Sequence, residues 1–99
     1  MPYAAPLTDA ELAEALVSVP DWTRDGALIR RSVQVADFAA AITLVNAVAD
    51  AAEAANHHPD IHLTGYRHVL FELSTHAAKA LTRRDIELAA KIDRLIDAA

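Results

Sequence analysis

EAANHHPDIHLTGYRHVLFELSTH, residues 53–76, decides the fold. Its first part continues an alanine-rich helical pattern, and Asn56-His57-His58-Pro59 closes it, because the residue before a proline is pushed out of the α region. Residues 61–66 then read as a short strand, with Thr64-Gly65 as a turn or bulge. Val69, Phe71, Leu73 and Thr75 alternate with His68, Leu70, Glu72 and Ser74, the period of a strand with one buried face. Three of the five histidines, His57, His58 and His76, thus fall at the ends of two regular elements. Imidazole, with an unperturbed pKa of roughly 6.5, trades protons near neutral pH. Rigid backbone at those ends can aim the three rings at one small volume, as acid–base chemistry requires.

Working outward, Thr8-Asp9-Ala10-Glu11 is a capping-box pattern that opens a helix over about 8–18, and Pro20 stops it. Residues 1–7 precede it as a loose N-terminal arm of a single domain, 1–99. Trp22 begins an extended segment, and Asp25-Gly26 signals a hairpin because glycine tolerates positive φ. In the strand at about 27–35, Ile29, Val33 and Val35 face inward, while Leu28, Arg30, Ser32 and Gln34 face the other way. Asp37 caps a helix over about 37–56, whose apolar stripe is Phe38, Ile42, Val45, Ala49 and Ala52, widened by Leu44 and Val48. Downstream, Thr82 to Asp85 is a second capping box. Ile86, Ala89, Ile92 and Ile96, with Leu88 and Leu95, give the last helix its apolar side.

The order is α-β-β-α-β-β-α. One-sided helices and one-sided hairpins predict an α+β fold: three helices packed on one face of a four-stranded antiparallel sheet. The outer sheet face, half apolar and flanked by edge strands, predicts a homo-oligomer in which a second copy covers it.

The 99 residues suit one core, and 54% are apolar. The net charge of −5 argues against nucleic acid as a partner, since phosphate binding needs basic clusters. No stretch reads as a membrane span or a secretory signal, and the chain has no cysteine; together these predict a cytoplasmic protein.

Each candidate residue has a plainer reading. Histidines at a helix C-terminus complement the dipole there, worth roughly 0.3–1 kcal/mol. Asp85 is the N3 acid of a capping box. His62 and His68 read as surface residues. A zinc or iron site lacks its usual spacing, with no HExxH and no cysteine pair. Ser74 lacks the glycine-rich elbow of a nucleophile.

Glu53, then His57-His58-Pro59, an aromatic at Tyr66, Ser74-Thr75-His76 and Leu81-Thr82 through Asp85-Ile86 together resemble the pterin-4a-carbinolamine dehydratases. The resemblance follows the element order along nearly the whole chain and is dense from Glu53 to about Asp93. It implies a lyase that dehydrates 4a-hydroxytetrahydropterin to quinonoid dihydropterin in tetrahydropterin recycling, acting as a dimer or tetramer without cofactor or metal. On that pattern His57, His58 and His76 are catalytic, with His58 and His76 as the acid–base pair. Asp85, Ser74, Thr75 and Pro59 line the substrate site. The chain departs from the family where Lys79-Ala80 stands for Gly-Gly, Ala77 for Asp or Ser, and Ile61 for tryptophan. The rival reading is a non-catalytic binding or assembly factor on the same fold, as in relatives that look like assembly factors for a carboxylase.

Overall fold

The computed structural model describes residues 5–99. Its elements are α1 (Asp9–Leu16), β1 (Thr23–Asp25), β2 (Leu28–Gln34), α2 (Phe38–Ala55), β3 (Asp60–Thr64), β4 (His68–Leu73) and α3 (Arg83–Ala98). All strand pairs are antiparallel and the sheet order is β1-β2-β4-β3, so β2 and β4 are central. This is the α+β architecture and element order expected from the sequence.

Local chemistry explains the boundaries. Thr8 and Thr82 each close a complete capping box, with Glu11 and Asp85 as the N3 acids, and the Asp37 side chain accepts from the Ala40 N–H. The Thr8 N–H donates to Glu11 and holds that carboxyl below its ordinary value. Gly26, at φ 61, makes the two-residue β1–β2 hairpin possible. Register places Ile29 opposite Leu73 and Ile61 opposite Phe71. Ile29, Val69, Phe71 and Leu73 are fully buried beneath the helices. Arg31 shares their face, and Asp93 of α3 answers its charge while accepting 2.8 Å from the Trp22 indole N–H. That contact ties the first hairpin to the last helix.

Two expectations need correction. The core face of α2 is Ala41, Leu44, Val48 and Ala52. Phe38 and Ile42, placed in the core stripe by their spacing, are 53% and 38% exposed. Leu44, Val48 and Ala52 are buried as expected, and small Ala41 joins them in place of Phe38 and Ile42, so the helix can lie close to its neighbours. Second, α2, at 18 residues, is long and apolar enough by length and composition to cross a bilayer, whereas the sequence reading found no such stretch. Here it lies over the sheet and contributes part of the core. Of the N-terminal arm, residues 1–4 lie outside the described region. Pro6 and Leu7 are tied to the start of α3: Pro6 bridges Thr82, and the Leu7 N–H donates to the Leu81 carbonyl at 3.0 Å.

Candidate active site

The end of α2 separates the paired histidines. Asn56 takes the left-handed conformation, φ 50, and the His57 N–H reaches back to the Ala52 carbonyl. This turns His57 inward, where it is 7% exposed, and leaves His58 at the surface.

His57 meets α3 there. Its Nε2 lies 2.6 Å from Oδ1 of Asp85, which is 0% exposed. The other oxygen, Oδ2, accepts from the Thr75 hydroxyl at 2.8 Å and the Thr82 N–H at 2.9 Å. The Thr75 and Thr82 hydroxyls lie 2.7 Å apart. Four residues from the end of α2, the end of β4 and the start of α3 thus form one buried polar knot. With Oδ2 filled by two donors, His57 Nε2 carries the proton that Oδ1 accepts. Asp85 is therefore a capping residue and a histidine partner at once, since its two oxygens divide the tasks.

His58 lies outside the knot, with its Nε2 bonded to the Glu53 carboxylate one turn back on α2. His76 is exposed and opens the turn over residues 76–79 that follows β4. That turn ends at Lys79 with φ 51, the left-handed conformation that a family glycine there takes without steric cost. Covalent neighbours link the two surface histidines: His58 follows His57, His57 bonds Asp85, Asp85 bonds Thr75, and His76 follows Thr75. The knot therefore holds the backbone beneath both rings.

The other candidates divide. Thr75 is inside the knot, and Pro59 is partly buried beside His58. The Ser74 hydroxyl points elsewhere, donating 2.7 Å to the Ala27 carbonyl of the first hairpin. His62 and His68 are exposed, with His62 paired to Glu72 on the outer sheet face. Sequence reasoning assigned no role to Arg84 and saw Thr82 only as a cap. Arg84 donates to the Ala55 and Asn56 carbonyls and so clamps the end of α2 that carries the histidines. Its signal was local: a basic pair directly after an N-cap. A groove of about 490 Å³ opens beside His57, between the end of α2 and α3. Among the described residues, no three histidine, cysteine or carboxylate side chains gather as a metal-binding group.

The chain and its fold match a known class. The family model for pterin 4 alpha carbinolamine dehydratase matches residues 5–95. Two relatives are provisionally named pterin-4-alpha-carbinolamine dehydratases. One, from Nocardia farcinica, is 56% identical over 90% of this chain and 93% of its own length. The other, from Roseiflexus castenholzii, is 50% identical over 94% and 99%. The crystal structure of a transcriptional coactivator/pterin dehydratase from Brucella melitensis superposes with a TM-score of 0.86 at 32% identity, covering 91% of this chain and 97% of that one. A pterin dehydratase-like RuBisCO assembly factor of the alpha-carboxysome shares the fold, with a TM-score of 0.62 at 20% identity over 75% and 84%. The chain belongs to the pterin 4 alpha carbinolamine dehydratase family, whose named activity is that of a lyase.

Proposed function

We propose that this protein dehydrates a 4a-hydroxytetrahydropterin to the quinonoid dihydropterin and water, in tetrahydropterin recycling. The observation that carries the reading is the bonded path from His57 through Asp85 to Thr75, which anchors the backbone directly before His58 and His76. Loss of water needs a proton delivered to the departing 4a-hydroxyl and a proton removed from the N5 side of the ring. Two accessible imidazoles of opposite protonation state supply both, each transfer worth roughly 10²–10⁴-fold. His58 and His76 take those parts. His57, locked by Asp85, orients the ring, and the Glu53 carboxylate orients His58. Thr75 supports the site through Asp85, and Pro59 shapes the backbone between His58 and β3. Ser74, bonded to the first hairpin, acts on the pocket only through its backbone. No cofactor or metal is needed for this step.

The reading includes a homodimer or homotetramer in the cytoplasm. The outer sheet face with its edge strands β1 and β3, and exposed Phe38 and Ile42 on α2, are the surfaces a second copy would cover. Analytical ultracentrifugation of the protein and its Phe38→Ser variant tests that part.

Stopped-flow mixing with synthetic 4a-hydroxytetrahydropterin tests the activity. The expected result is saturable acceleration over the spontaneous reaction. A folded protein that gives no acceleration would favour the rival, a non-catalytic binding or assembly module. The specific feature on that side is the departure at Lys79-Ala80, in the turn beside His76.

A further inference from the structure

The groove between α2 and α3 carries a charge opposite to that of the chain as a whole. The protein carries a net charge of −5, yet Arg84, Lys91 and Arg94 line this groove against the single carboxylate of Glu87. By contrast, the groove bordered by α1 holds Glu11 and Glu14 against Arg83. Arg84 is fixed by the carbonyls at the end of α2. Among the described residues, Lys91 and Arg94 make no ion pair, whereas Arg24, Arg30 and Arg31 all do. The apolar surfaces of Ala55 and Leu88 complete the walls, and His57 lies at the site end. At about 490 Å³ the groove falls in the range of small-molecule sites.

Distance narrows the ligand. Lys91 and Arg94 stand six and nine residues beyond Asp85 on one helix, about 9 Å and about 13 Å along its axis. A ring held at His57 therefore meets these cations only through a long side chain.

We propose that the groove binds the 6-substituent of the substrate, and that the preferred substrate is a reduced pterin whose extended, partly aromatic side chain ends in carboxylates. The apolar walls take the linker, and Lys91 and Arg94 take the terminal carboxylates. A short neutral polyol side chain does not reach either cation. This assignment rests on the dehydratase reading and specifies its substrate class.

The test compares three 4a-hydroxytetrahydropterins: one with a neutral dihydroxypropyl side chain, one with a short phosphate ester, and one with an aminobenzoyl-glutamate side chain. The long acidic substrate should show a kcat/KM about tenfold above the neutral one, expressed in KM and reduced by salt, as expected for two partly exposed charge pairs. The Lys91→Ala/Arg94→Ala double variant should bring that ratio to about one, and Arg94→Glu should bring it below one. Equal kcat/KM for the long acidic and neutral substrates overturns the assignment, as does an advantage that survives the double variant. An advantage shared equally by the short phosphate ester also overturns it, since Lys91 and Arg94 are then not the reason. Dehydration of none of the three refutes the dehydratase reading itself, and the groove assignment with it. Dehydration of the neutral substrate without preference refutes the groove assignment alone.

Discussion

His57 and His58 are neighbours in sequence and opposites in the structure. One ring is buried against Asp85 and held by a network that reaches α3 and the end of β4. The other is exposed, with one carboxylate from the preceding helix as partner. A group almost closed off from solvent is well suited to hold geometry and poorly suited to exchange protons with a substrate; an exposed group has the reverse qualities. The difference teaches a division of labour. The knot determines stability and aim, and the surface histidines carry the chemistry. Substitutions in the two regions should therefore fail in different ways.

The largest effect should fall on turnover alone. His58→Ala is expected to lower kcat by about 10²–10⁴-fold while leaving the unfolding midpoint nearly unchanged, read by stopped-flow dehydration beside urea denaturation. A folded His58→Ala protein with wild-type turnover would falsify the role given to His58. Asp85→Ala should do the opposite first. It strips a buried histidine and two further donors of their partner, so a loss of about 3 kcal/mol or more is expected. Each kcal/mol is worth about 4–8 °C of Tm at this size. If Asp85→Ala unfolds at the wild-type temperature, the knot is not structural. Thr75→Val keeps the shape and removes a donor from Asp85 and an acceptor from the Thr82 hydroxyl; about 1–2 kcal/mol should be lost in the same melt.

How far the sequence reveals this division depends on the range of each interaction. The caps at Thr8, Asp37 and Thr82 are local patterns, and all three form as read. The strand pairing follows from period-two alternation around Phe71. Leu44, Val48 and Ala52 of α2 are buried as read, but the edge of that face was not legible, because Phe38-Ile42 and Ala41 both fit the helical period. Only the close approach of neighbouring elements selects the second. The His57–Asp85 bond joins positions 28 residues apart, so no local pattern announces it. Asp85 was legible as a cap, and its second oxygen was not. Likewise, nothing in the Ser-Thr-His triplet shows that Ser74 turns to the first hairpin while Thr75 enters the knot.

Two smaller predictions sharpen the contrast at its margins. Lys79 takes φ 51 in the turn that carries His76. Relief of the left-handed strain should outweigh the entropy glycine costs, so Lys79→Gly is expected to stabilise the fold by about 0.5–1 kcal/mol. If it raises turnover as well, the turn tunes His76; destabilisation would show that the lysine side chain contributes more than the strain it brings. The least effect is expected at the opposite end of the molecule. The Glu11 carboxyl is held below its ordinary value chiefly by the Thr8 N–H. A depressed carboxyl stabilises above its unfolded pKa and loses that contribution as pH falls through its folded pKa. Amide protection in the first turn of α1 should therefore decline over that acidic range, and the decline should be absent in Glu11→Gln.

The most direct measurement is a double-mutant cycle on kcat with His58→Ala, His76→Ala and the two combined. If the surface histidines act as one acid–base pair over a common knot, the double variant should lose little more than the worse single variant. Losses that multiply in full would mean that the two rings act independently, which would contradict the account.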